Sequence, residues 1–370
     1  MGTIDAQRRL VLDEQLPVTS PTRVRVIILL PEETGIDEME WLRAAAANPA
    51  FDFLKEPEED IYEEGKMKLL ICDPTAPGAI AQMREAGIEV DVRDDITAEE
   101  LEAVIADYDA IVVRSRTKVR KPLIDRAVNL KLIIRGGVGL DNIDVEYAQS
   151  KGIGVRNTPA ASSNSVAELT IGYLFALARQ IPQATASMKA GGWEKKAFSK
   201  GTELAGKTLG LIGCGRIGSL VAKKAAALGM EVLFYRRTKV EMPGATQVSL
   251  DELLSRSDFI SLHVPHTPET HYIIGAEEFA KMKDGVYIIN CGRGGTLDET
   301  ALYEAIVSGK VAGAALDVFE DEKEERGRRL MALTQVVGSP HIGAGTKEAR
   351  ARVGEEVARI AIEFHRRHFT

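Results

Sequence analysis

The chain alternates short apolar runs with segments whose apolar residues recur at helical spacing. In the first series the runs that predict strands are MKLLICD (67–73), GIEVDV (87–92), AIVVRS (110–115), LKLIIRGG (130–137) and IGVRNTP (153–159). Segments 77–87 and 97–108 between them have helical spacing, and Thr97 followed by Glu100 predicts a capping box. Alternation of this kind favours a parallel sheet covered by helices.

A second series follows a long helical segment. Apolar residues recur at helical intervals over 164–193, which predicts one long, well-buried helix that bridges two domains. The strands predicted after it are KTLGLIG (207–213), EVLFYR (231–236), FISLHVP (259–265), GVYIINC (285–291), AGAALDV (312–318) and TQVVGSP (334–340). The predicted fold class is therefore α/β, with two Rossmann-like, doubly wound parallel-sheet domains.

The first 66 residues fit neither series. RVRVIILLP (23–31) has the composition of a strand, but the segment 37–66 is rich in Asp and Glu and predicts a solvated chain. We expect 1–66 to be an appendage without a catalytic role. The two domains are predicted to comprise 67–163 with 342–370, and 164–341.

Composition and charge narrow the function classes. The 370 residues carry a net charge of -8, which argues against non-specific binding to DNA or anionic membranes. Cys72, Cys214 and Cys291 form no C-x-x-C pair, so neither a disulfide framework nor a metal site is expected. Apolar runs fall short of the roughly 20 residues that span a bilayer, and the polar start lacks a signal-peptide pattern. We expect a cytoplasmic protein that binds no nucleic acid, membrane or metal.

The stretch LIGCGRIGSLVAKKAAALG (211–229) places Gly213, Gly215 and Gly218 in G-x-G-x-x-G spacing between a predicted strand and a helix. Gly213 allows a tight turn, Gly215 lets a pyrophosphate approach the backbone, and Gly218 permits close helix packing. Arg216 adds positive charge to the helix N-terminus. The pattern predicts a dinucleotide site; the alternative is a tight turn without a ligand.

The second strand of this unit ends at Arg236, where the chain faces the adenosine ribose of a bound dinucleotide. An acid at that position binds the ribose hydroxyls and repels a 2′-phosphate, whereas arginine does the reverse. Arg237 and Thr238 supply a second guanidinium and a hydroxyl. We therefore expect NADP to be preferred over NAD; the alternative is that Arg236 lies over the adenine and specificity is mixed.

Several dispersed motifs carry a family resemblance that covers 67–370. They are LAGKTLGLIGCGRIG (204–218), NCGRGGTLDETAL (290–302), AGAALDVFEDE (312–322) and SPHIGAGTKEA (339–349), and they closely resemble those of the D-isomer-specific 2-hydroxyacid dehydrogenases. Within that family, IVVRSRTKV (111–119), IIRGGVGLDNID (133–144) and NTPAASSNSVAELTIG (157–172) are most similar to the D-3-phosphoglycerate dehydrogenases. The resemblance implies a flavodoxin-like substrate domain and an NAD(P)-binding Rossmann domain.

The resemblance also implies a catalytic trio. Arg293 binds the substrate carboxylate and polarises the reacting carbonyl, His341 exchanges a proton with the carbonyl oxygen, and Glu322 orients the imidazole. Lys323 stands where the family usually has proline. Alternatively, Arg293 caps a strand, Glu322 belongs to a solvated acidic stretch, and His341 is an ordinary buried histidine.

Binding residues follow from the same resemblance. The cofactor residues are Gly213, Gly215, Arg216, Ile217, Gly218, Arg236, Arg237, Thr238, His263, Val264, Pro265, Thr267, Cys291, Gly292, Asp317 and Gly343. Backbone N–H groups of Val138 and Gly139 hold the substrate carboxylate. The resemblance implies that the substrate phosphate is bound by Arg114, Ser115, Arg135 and Lys195, with assistance from Arg116. The alternative for these arginines is that they are surface cations.

The favoured function is oxidation of D-3-phosphoglycerate to 3-phosphohydroxypyruvate, the first step of serine biosynthesis, by a form without the regulatory domain of longer relatives. The first alternative is an NADPH-dependent glyoxylate or hydroxypyruvate reductase. The second is a dinucleotide-sensing, corepressor-like binding protein. The resemblance further implies a homodimer or homotetramer that pairs through the long helix of the cofactor domain, acting on a phosphorylated or short 2-hydroxy or 2-keto acid.

Overall fold

The computed structural model describes residues 2–4, 10–12, 66–320 and 325–369. Contacts group Met67–His368 into one compact unit and place Met1–Lys66 in another. In the latter, strands β1 (Gly2–Ile4) and β2 (Leu10–Leu12) pair antiparallel. The strand predicted at 23–31 and nearly all of the acidic segment lie outside the described residues.

Five parallel strands form the first sheet of the larger unit. They are β3 (Lys68–Ile71), β4 (Glu89–Val92), β5 (Ala110–Val113), β6 (Leu132–Arg135) and β7 (Gly154–Asn157). The spatial order β4-β3-β5-β6-β7 is that of flavodoxin-like folds. Because the order reverses between β3 and β5, the carboxyl ends of these two strands flank a crevice of the kind that holds ligands.

Short helices cover this sheet: α1 (Pro77–Glu85), α2 (Ala98–Val104), α3 (Lys121–Arg126) and α4 (Val145–Ser150). The predicted capping box at the start of α2 is confirmed. The N–H of Glu100 donates to Thr97 Oγ1 over 3.2 Å, and the N–H of Thr97 donates to Glu100 Oε2 over 2.9 Å. A 3-10 turn (Ile105–Asp107) follows α2.

Seven parallel strands form the second sheet. They are β8 (Thr208–Ile212), β9 (Glu231–Tyr235), β10 (Thr246–Gln247), β11 (Phe259–Leu262), β12 (Val286–Asn290), β13 (Val311–Leu316) and β14 (Val336–Gly338). Their order is β10-β9-β8-β11-β12-β13-β14, which reverses between β8 and β11. Leu209 and Leu211 join the apolar cluster on one face and Ile212 joins that on the other. Both faces are therefore buried, as expected of a doubly wound sheet, and the predicted fold class is confirmed.

A further group of helices begins after β7. They are α5 (Ser163–Arg179), α6 (Ile181–Lys189), α7 (Lys195–Phe198), α8 (Arg216–Ala227), α9 (Leu250–Arg256), α10 (Ala276–Lys281), α11 (Glu299–Val307), α12 (Glu325–Met331) and α13 (Lys347–His368). Helix α5 packs against α8 and the seven-stranded sheet. Helix α13 returns to the five-stranded sheet, where it packs closely on α1: a Cβ on Gly354 would lie 2.8 Å from the Cβ of Ala76.

The prediction of one long buried helix over 164–193 is wrong. The first helix ends at Gln180, whose φ of 51° is left-handed, and α6 starts again with Pro182 in its first turn. Proline has no N–H with which to continue the helical ladder, so the break falls in front of it. Buried residues line α5, whereas α6 has none.

Candidate active site

The glycine loop joins β8 to α8, and its three glycines differ in their surroundings. Gly213 has a φ of 93°, and a Cβ there would lie 2.7 Å from the carbonyl oxygen of His263. A Cβ on Gly218 would lie 2.4 Å from the carbonyl oxygen of Gly213. A Cβ on Gly215 would meet nothing within 4 Å. Two glycines thus serve close packing, while the third leaves open space beside Arg216 and Ile217 at the helix N-terminus, where N–H groups favour an anion.

The segment after β11 forms a wall beside the glycine loop. The N–H of His263 donates to the last carbonyl of β8 over 2.7 Å. The side chain of Val264 reaches Gly213, since a Cβ there would lie 2.7 Å from Val264 Cγ1. Pro265 and Thr267 continue the segment at the same end of the sheet. The structure therefore brings the predicted wall and the predicted glycine loop together.

The imidazole of His263 is a neutral part of this wall. Its Nε2 lies 3.0 Å from Ser261 Oγ, and its Nδ1 is closed off from solvent without a hydrogen-bond partner among the described residues. Burial of the ring lowers the pKa of His263 to about 4. The ring therefore carries no charge near neutral pH and does not attract an anion.

Cys291 and Gly292 follow β12 on the other side of the wall. Burial raises the pKa of the Cys291 thiol to about 12. A Cβ on Gly292 would lie 3.0 Å from the carbonyl oxygen of Leu262, so this position requires a small residue. Cys72 and Cys214 are also free and buried. The three thiols act as small apolar side chains rather than as nucleophiles.

Arg236, Arg237 and Thr238 follow β9 beside the glycine loop. Gln247 fixes their backbone, because its Nε2 donates to the carbonyl oxygens of Arg236 and Thr238 over 3.0 and 3.1 Å. The three side chains are exposed. Within the described residues, neither guanidinium pairs with a carboxylate. Burial raises the pKa of Cys214 in the glycine loop, and the charge of Arg236 partly offsets that rise, which places this charge near the loop.

Buried polar groups shape the loop that carries Arg293 after β12. Asn290 Nδ2 and Thr296 Oγ1 donate to the carbonyl oxygen of Arg293 over 3.0 and 2.7 Å. Asn290 and Thr296 are almost fully buried. Gly294 allows this loop to lie against the segment that follows β13, since a Cβ there would lie 1.9 Å from the carbonyl oxygen of Phe319. Neither Asn290 nor Thr296 was predicted; the available signal was a polar residue at the end of an apolar strand, as Asn290 is.

The side chain of Arg293 reaches the turn Val138–Gly139 after β6 of the other sheet. Its Nη1 donates to the carbonyl oxygen of Gly292 over 2.9 Å, and its Nε donates to Asp141 Oδ2 over 3.1 Å. A Cβ on Gly139 would lie 2.0 Å from Arg293 Nη2. The N–H groups of Val138 and Gly139 make no hydrogen bond within the described residues. Free N–H groups beside a guanidinium are the donors that a carboxylate requires.

His341 follows β14 in an unusual backbone conformation. Its φ is 53°, in the left-handed region that non-glycine residues rarely adopt. The N–H of His341 donates to the carbonyl oxygen of Asp317 over 2.9 Å. Arg293, Asp317 and His341 follow three neighbouring parallel strands, β12, β13 and β14, so all three lie at one edge of the sheet. Glu322, the third predicted catalytic residue, lies outside the described residues.

The buried carboxylate of Asp317 holds the His341 loop. The N–H groups of Ile342 and Gly343 each donate to it over 2.8 Å, and the hydroxyl of Ser339 donates to it as well. Tyr173 of α5 lies 2.5 Å from Ser339 Oγ. Both oxygens of Asp317 accept hydrogen bonds from the loop, so Asp317 fixes the loop's backbone. Contact of Asp317 and Gly343 with a cofactor stays a prediction.

Arg114 and Arg135 lie at the carboxyl ends of β5 and β6. Arg135 Nη2 donates to Ser115 Oγ over 3.4 Å, while its Nε is closed off from solvent without a partner among the described residues. Burial lowers the pKa of Arg135 to about 10, and the charges of Arg293 and Arg114 add to the effect. Within the described residues neither guanidinium pairs with a carboxylate. The carboxylates of Asp73 and Asp141 offset part of this charge without forming an ion pair with either guanidinium, so the cluster stays positively charged.

Two further cations, Arg116 and Lys195, were predicted to bind the phosphate, and a third, Arg350, was not. Arg116, which was expected to assist in phosphate binding, donates to Asp73 Oδ1 over 2.9 Å and to main-chain carbonyls, so its guanidinium is already used. Lys195 is exposed on α7, and no described contact joins it to Arg114 or Arg135. Arg350 was missed. Burial lowers the pKa of Arg114 and the charge of Arg350 adds to this, so the first turn of α13 contributes to the cluster.

Over 66–320 and 325–369, no three His, Cys, Asp or Glu side chains are arranged to hold a metal ion. No helix in that part of the chain is long and apolar enough to cross a membrane.

Comparison with known proteins gives a consistent set of relatives. The sequence model of the D-isomer specific 2-hydroxyacid dehydrogenase, NAD binding domain, matches residues 171–343. The D-3-phosphoglycerate dehydrogenase of Methanocaldococcus jannaschii is 52% identical over 297 residues, which are 79% of this chain and 56% of that protein. The hydroxypyruvate reductase of Thermotoga maritima is 54% identical over 278 residues, 74% of this chain and 90% of that protein.

Solved structures agree. The D-lactate dehydrogenase from Aquifex aeolicus, solved with NAD and lactic acid, superposes with a TM-score of 0.72 at 34% identity, covering 81% of this chain and 95% of that one. The chain spans about half the length of the phosphoglycerate dehydrogenases it matches and most of the length of the reductase.

Replacing Asp317 by Asn tests its role as the anchor of the His341 loop. The amide presents N–H groups to backbone and hydroxyl donors, so we expect the free energy of unfolding to fall by about 2–4 kcal/mol. Urea denaturation followed by circular dichroism measures the change. Asp284→Asn, which alters an exposed carboxylate paired with Lys310, is the control and should leave stability within about 0.5 kcal/mol of the unmodified protein. Equal effects of the two substitutions would contradict the anchoring role.

Proposed function

Because this chain belongs to the D-isomer-specific 2-hydroxyacid dehydrogenases, we propose that it transfers a hydride between a nicotinamide dinucleotide and a 2-hydroxy or 2-keto acid. The observation that carries the proposal is the meeting of Arg293 with the free N–H groups of Val138 and Gly139. These groups come from different sheets, and together they form a site for the carboxylate that every such acid carries.

The residues after β8 and β9 fit a dinucleotide. The open space at Gly215, next to the N-terminus of α8, suits the pyrophosphate. Arg236 and Arg237 are exposed cations without a carboxylate partner among the described residues, which suits a further phosphate at the ribose. A nicotinamide held there would supply the hydride for reduction of a keto acid, or take it up in the reverse direction.

In the proposed mechanism, two residues of this chain act on the keto acid. The guanidinium of Arg293 binds the carboxylate together with the turn and stabilises negative charge on the carbonyl oxygen. The imidazole of His341 holds a proton and gives it to that oxygen, or removes it in the reverse direction. Glu322 is the proposed partner of the imidazole. The Asp317 network supports this by fixing the backbone of the His341 loop.

In this proposal one sheet binds the substrate and the other binds the cofactor. The five-stranded sheet carries Arg114, Arg135 and the carboxylate-binding turn, which supports 67–163 with 342–370 as the substrate domain. The seven-stranded sheet carries the glycine loop and the arginine pair, which supports 164–341 as the cofactor domain.

The proposed substrate is D-3-phosphoglycerate, oxidised to 3-phosphohydroxypyruvate for serine synthesis. The supporting observation is the cluster of Arg114, Arg135 and Arg350, none of which forms an ion pair with a carboxylate among the described residues. Holding unpaired guanidinium groups together in a partly buried site is unfavourable, and a dianionic phosphate offsets that cost. The M. jannaschii relative carries the corresponding name. The alternative is a hydroxypyruvate or glyoxylate reductase, favoured by the T. maritima relative.

A substrate panel separates these functions. We expect oxidation of NADPH to give a kcat/KM for 3-phosphohydroxypyruvate at least about tenfold above those for hydroxypyruvate and glyoxylate, since one charge-assisted hydrogen bond is worth that factor. The measurement is the absorbance of the reduced cofactor at 340 nm. A higher value for either unphosphorylated acid would support the reductase instead. No turnover of any of the three would support a dinucleotide-binding role.

Arg135→Gln tests the phosphate assignment. Because two charge-assisted donors are lost, we expect kcat/KM for 3-phosphohydroxypyruvate to fall by about 10- to 100-fold, and that for hydroxypyruvate to change by less than about threefold. Arg126→Gln, an exposed arginine at the end of α3, is the matched control. Equal losses on both substrates would show that Arg135 does not contact the phosphate.

The proposed cofactor preference is for NADP, supported by Arg236 and Arg237. In Arg236→Ala we expect kcat/KM for NADPH to fall by about 10- to 100-fold, while the value for NADH stays within about threefold, because only NADPH carries the 2′-phosphate. Arg256→Ala, which changes an exposed arginine at the end of α9 that pairs with Glu231 and Glu252, is the control. A lower KM for NADH than for NADPH in the unmodified protein would refute the preference.

The proposed assembly is a homodimer or homotetramer. Large apolar side chains are exposed on and just after α5 and α6, namely Phe175, Ile181, Met188 and Trp193. Exposed apolar groups so close together along the chain support an interface there. The proposed compartment is the cytoplasm, which the three free cysteines support.

A further inference from the structure

Asp141 forms an ion pair that joins the two sheets at the proposed substrate site. It comes two residues after the turn Val138–Gly139, which follows β6 of the five-stranded sheet, whereas Arg293 follows β12 of the seven-stranded sheet. Asp141 Oδ2 accepts a hydrogen bond from Arg293 Nε over 3.1 Å. The contact therefore connects the turn proposed to bind the substrate carboxylate with the guanidinium proposed to polarise the carbonyl.

The way in which the guanidinium is held determines what it offers to a ligand. A guanidinium is planar and has five N–H donors, so a bond at Nε and one at Nη1 fix both its position and its plane. Asp141 takes Nε and the carbonyl oxygen of Gly292 takes one N–H of Nη1. Nη2 of Arg293 makes no hydrogen bond within the described residues and lies against Gly139. The free edge of the group thus faces the turn.

Close packing makes the turn, the carboxylate and the guanidinium a single unit. A Cβ on Gly139 would lie 2.0 Å from Arg293 Nη2 and 2.6 Å from Asp141 Oδ2, so any side chain there would separate the pair. The backbone of Asp141 is itself fixed, because Arg120 Nη2 donates to its carbonyl oxygen over 2.8 Å. Arg120 also pairs with Asp144 over 2.8 Å.

Stability does not explain the pair. The side chain of Asp141 is 65% exposed, and an ion pair at that exposure contributes little to folding. What distinguishes the ion pair is its position, because it joins two segments, far apart in sequence, that are both proposed to contact the substrate.

We propose that Asp141 is a positioning residue that aligns Arg293 for the reaction, an inference that rests on the proposed function. Asp141 binds the Nε side of the guanidinium and thereby directs Nη2 toward the carboxylate and carbonyl oxygen of the substrate. The alternative hypothesis is that Asp141 competes with the substrate carboxylate for Arg293. Alignment acts on the chemical step and hence on kcat, whereas competition acts on binding and hence on KM.

The test compares Asp141→Ala, Asp141→Asn and Asp141→Glu in the reduction of 3-phosphohydroxypyruvate by NADPH. In Asp141→Ala we expect kcat to fall by roughly 10- to 100-fold with KM within about threefold. The Asn variant should lie between, because its amide oxygen still accepts from Nε, and the Glu variant should recover most of kcat. The dissociation constant of D-3-phosphoglycerate, measured by isothermal titration calorimetry, should change by less than about threefold in all three variants.

Asp284→Ala, which removes an exposed carboxylate at the opposite edge of the seven-stranded sheet, is the matched control and should match the unmodified protein. Equal melting temperatures for the control and the Asp141 variants exclude a folding defect. An Asp141→Ala variant with unchanged kcat, or one with a lower KM and tighter binding of D-3-phosphoglycerate, would overturn the inference alone. An unmodified protein that reduces none of the three keto acids would overturn the proposed function, and this inference with it.

Discussion

In a parallel sheet the carboxyl ends of all strands lie at the same edge. Almost every group proposed to bind or react in this protein follows such a strand end and owes its position to this constraint. Arg114 and Arg135 leave neighbouring strands of the five-stranded sheet, while Arg293 and His341 leave strands of the seven-stranded sheet. Residues far apart in sequence thereby become neighbours without long connecting loops. The ion pair between Arg293 and Asp141 is where the two edges meet.

The loops at these edges are held by buried polar groups rather than by apolar packing. Asn290 and Thr296 fix the Arg293 loop, and Asp317 fixes the His341 loop through backbone N–H groups. Asn290 and Thr296 donate to a carbonyl oxygen of the loop they hold, whereas Asp317 accepts from N–H and hydroxyl donors of its loop, so the arrangement is well defined. As a result the guanidinium groups and the free N–H groups of the turn can remain available to a ligand. Asp73 and Asp141 offset part of the positive charge at the proposed anion site, and the surrounding hydrogen bonds fix the loops that carry it.

Sequence patterns predicted both sheets because a strand buried on two faces is a continuous apolar run, and these runs were found in the correct order. The predicted strands were one to several residues too long. The long helix was wrong because apolar periodicity persists across Pro182 even though the backbone does not.

The candidate site was predictable where chemistry resides in consecutive residues, as in the glycine loop, and less so where it depends on tertiary contacts. Arg114 and Arg116 look alike in the sequence, but the guanidinium of Arg116 donates to Asp73, whereas that of Arg114 forms no ion pair among the described residues. Asp141 and Arg350 were missed for the same reason. The partners of these two residues lie more than a hundred residues away in the chain, so no local sequence pattern indicates the contacts.

The central claim is that the two sheet edges form one anion site with a phosphate end and a carboxylate end. A crystal structure with bound D-3-phosphoglycerate tests it most directly. We expect the phosphate to lie within hydrogen-bonding distance of the terminal guanidinium nitrogens of Arg135, and the carboxylate to lie on the N–H groups of Val138 and Gly139, beside Arg293. A phosphate bound at Arg293 with the carboxylate at Arg135, or a ligand bound away from both arginines, would contradict it.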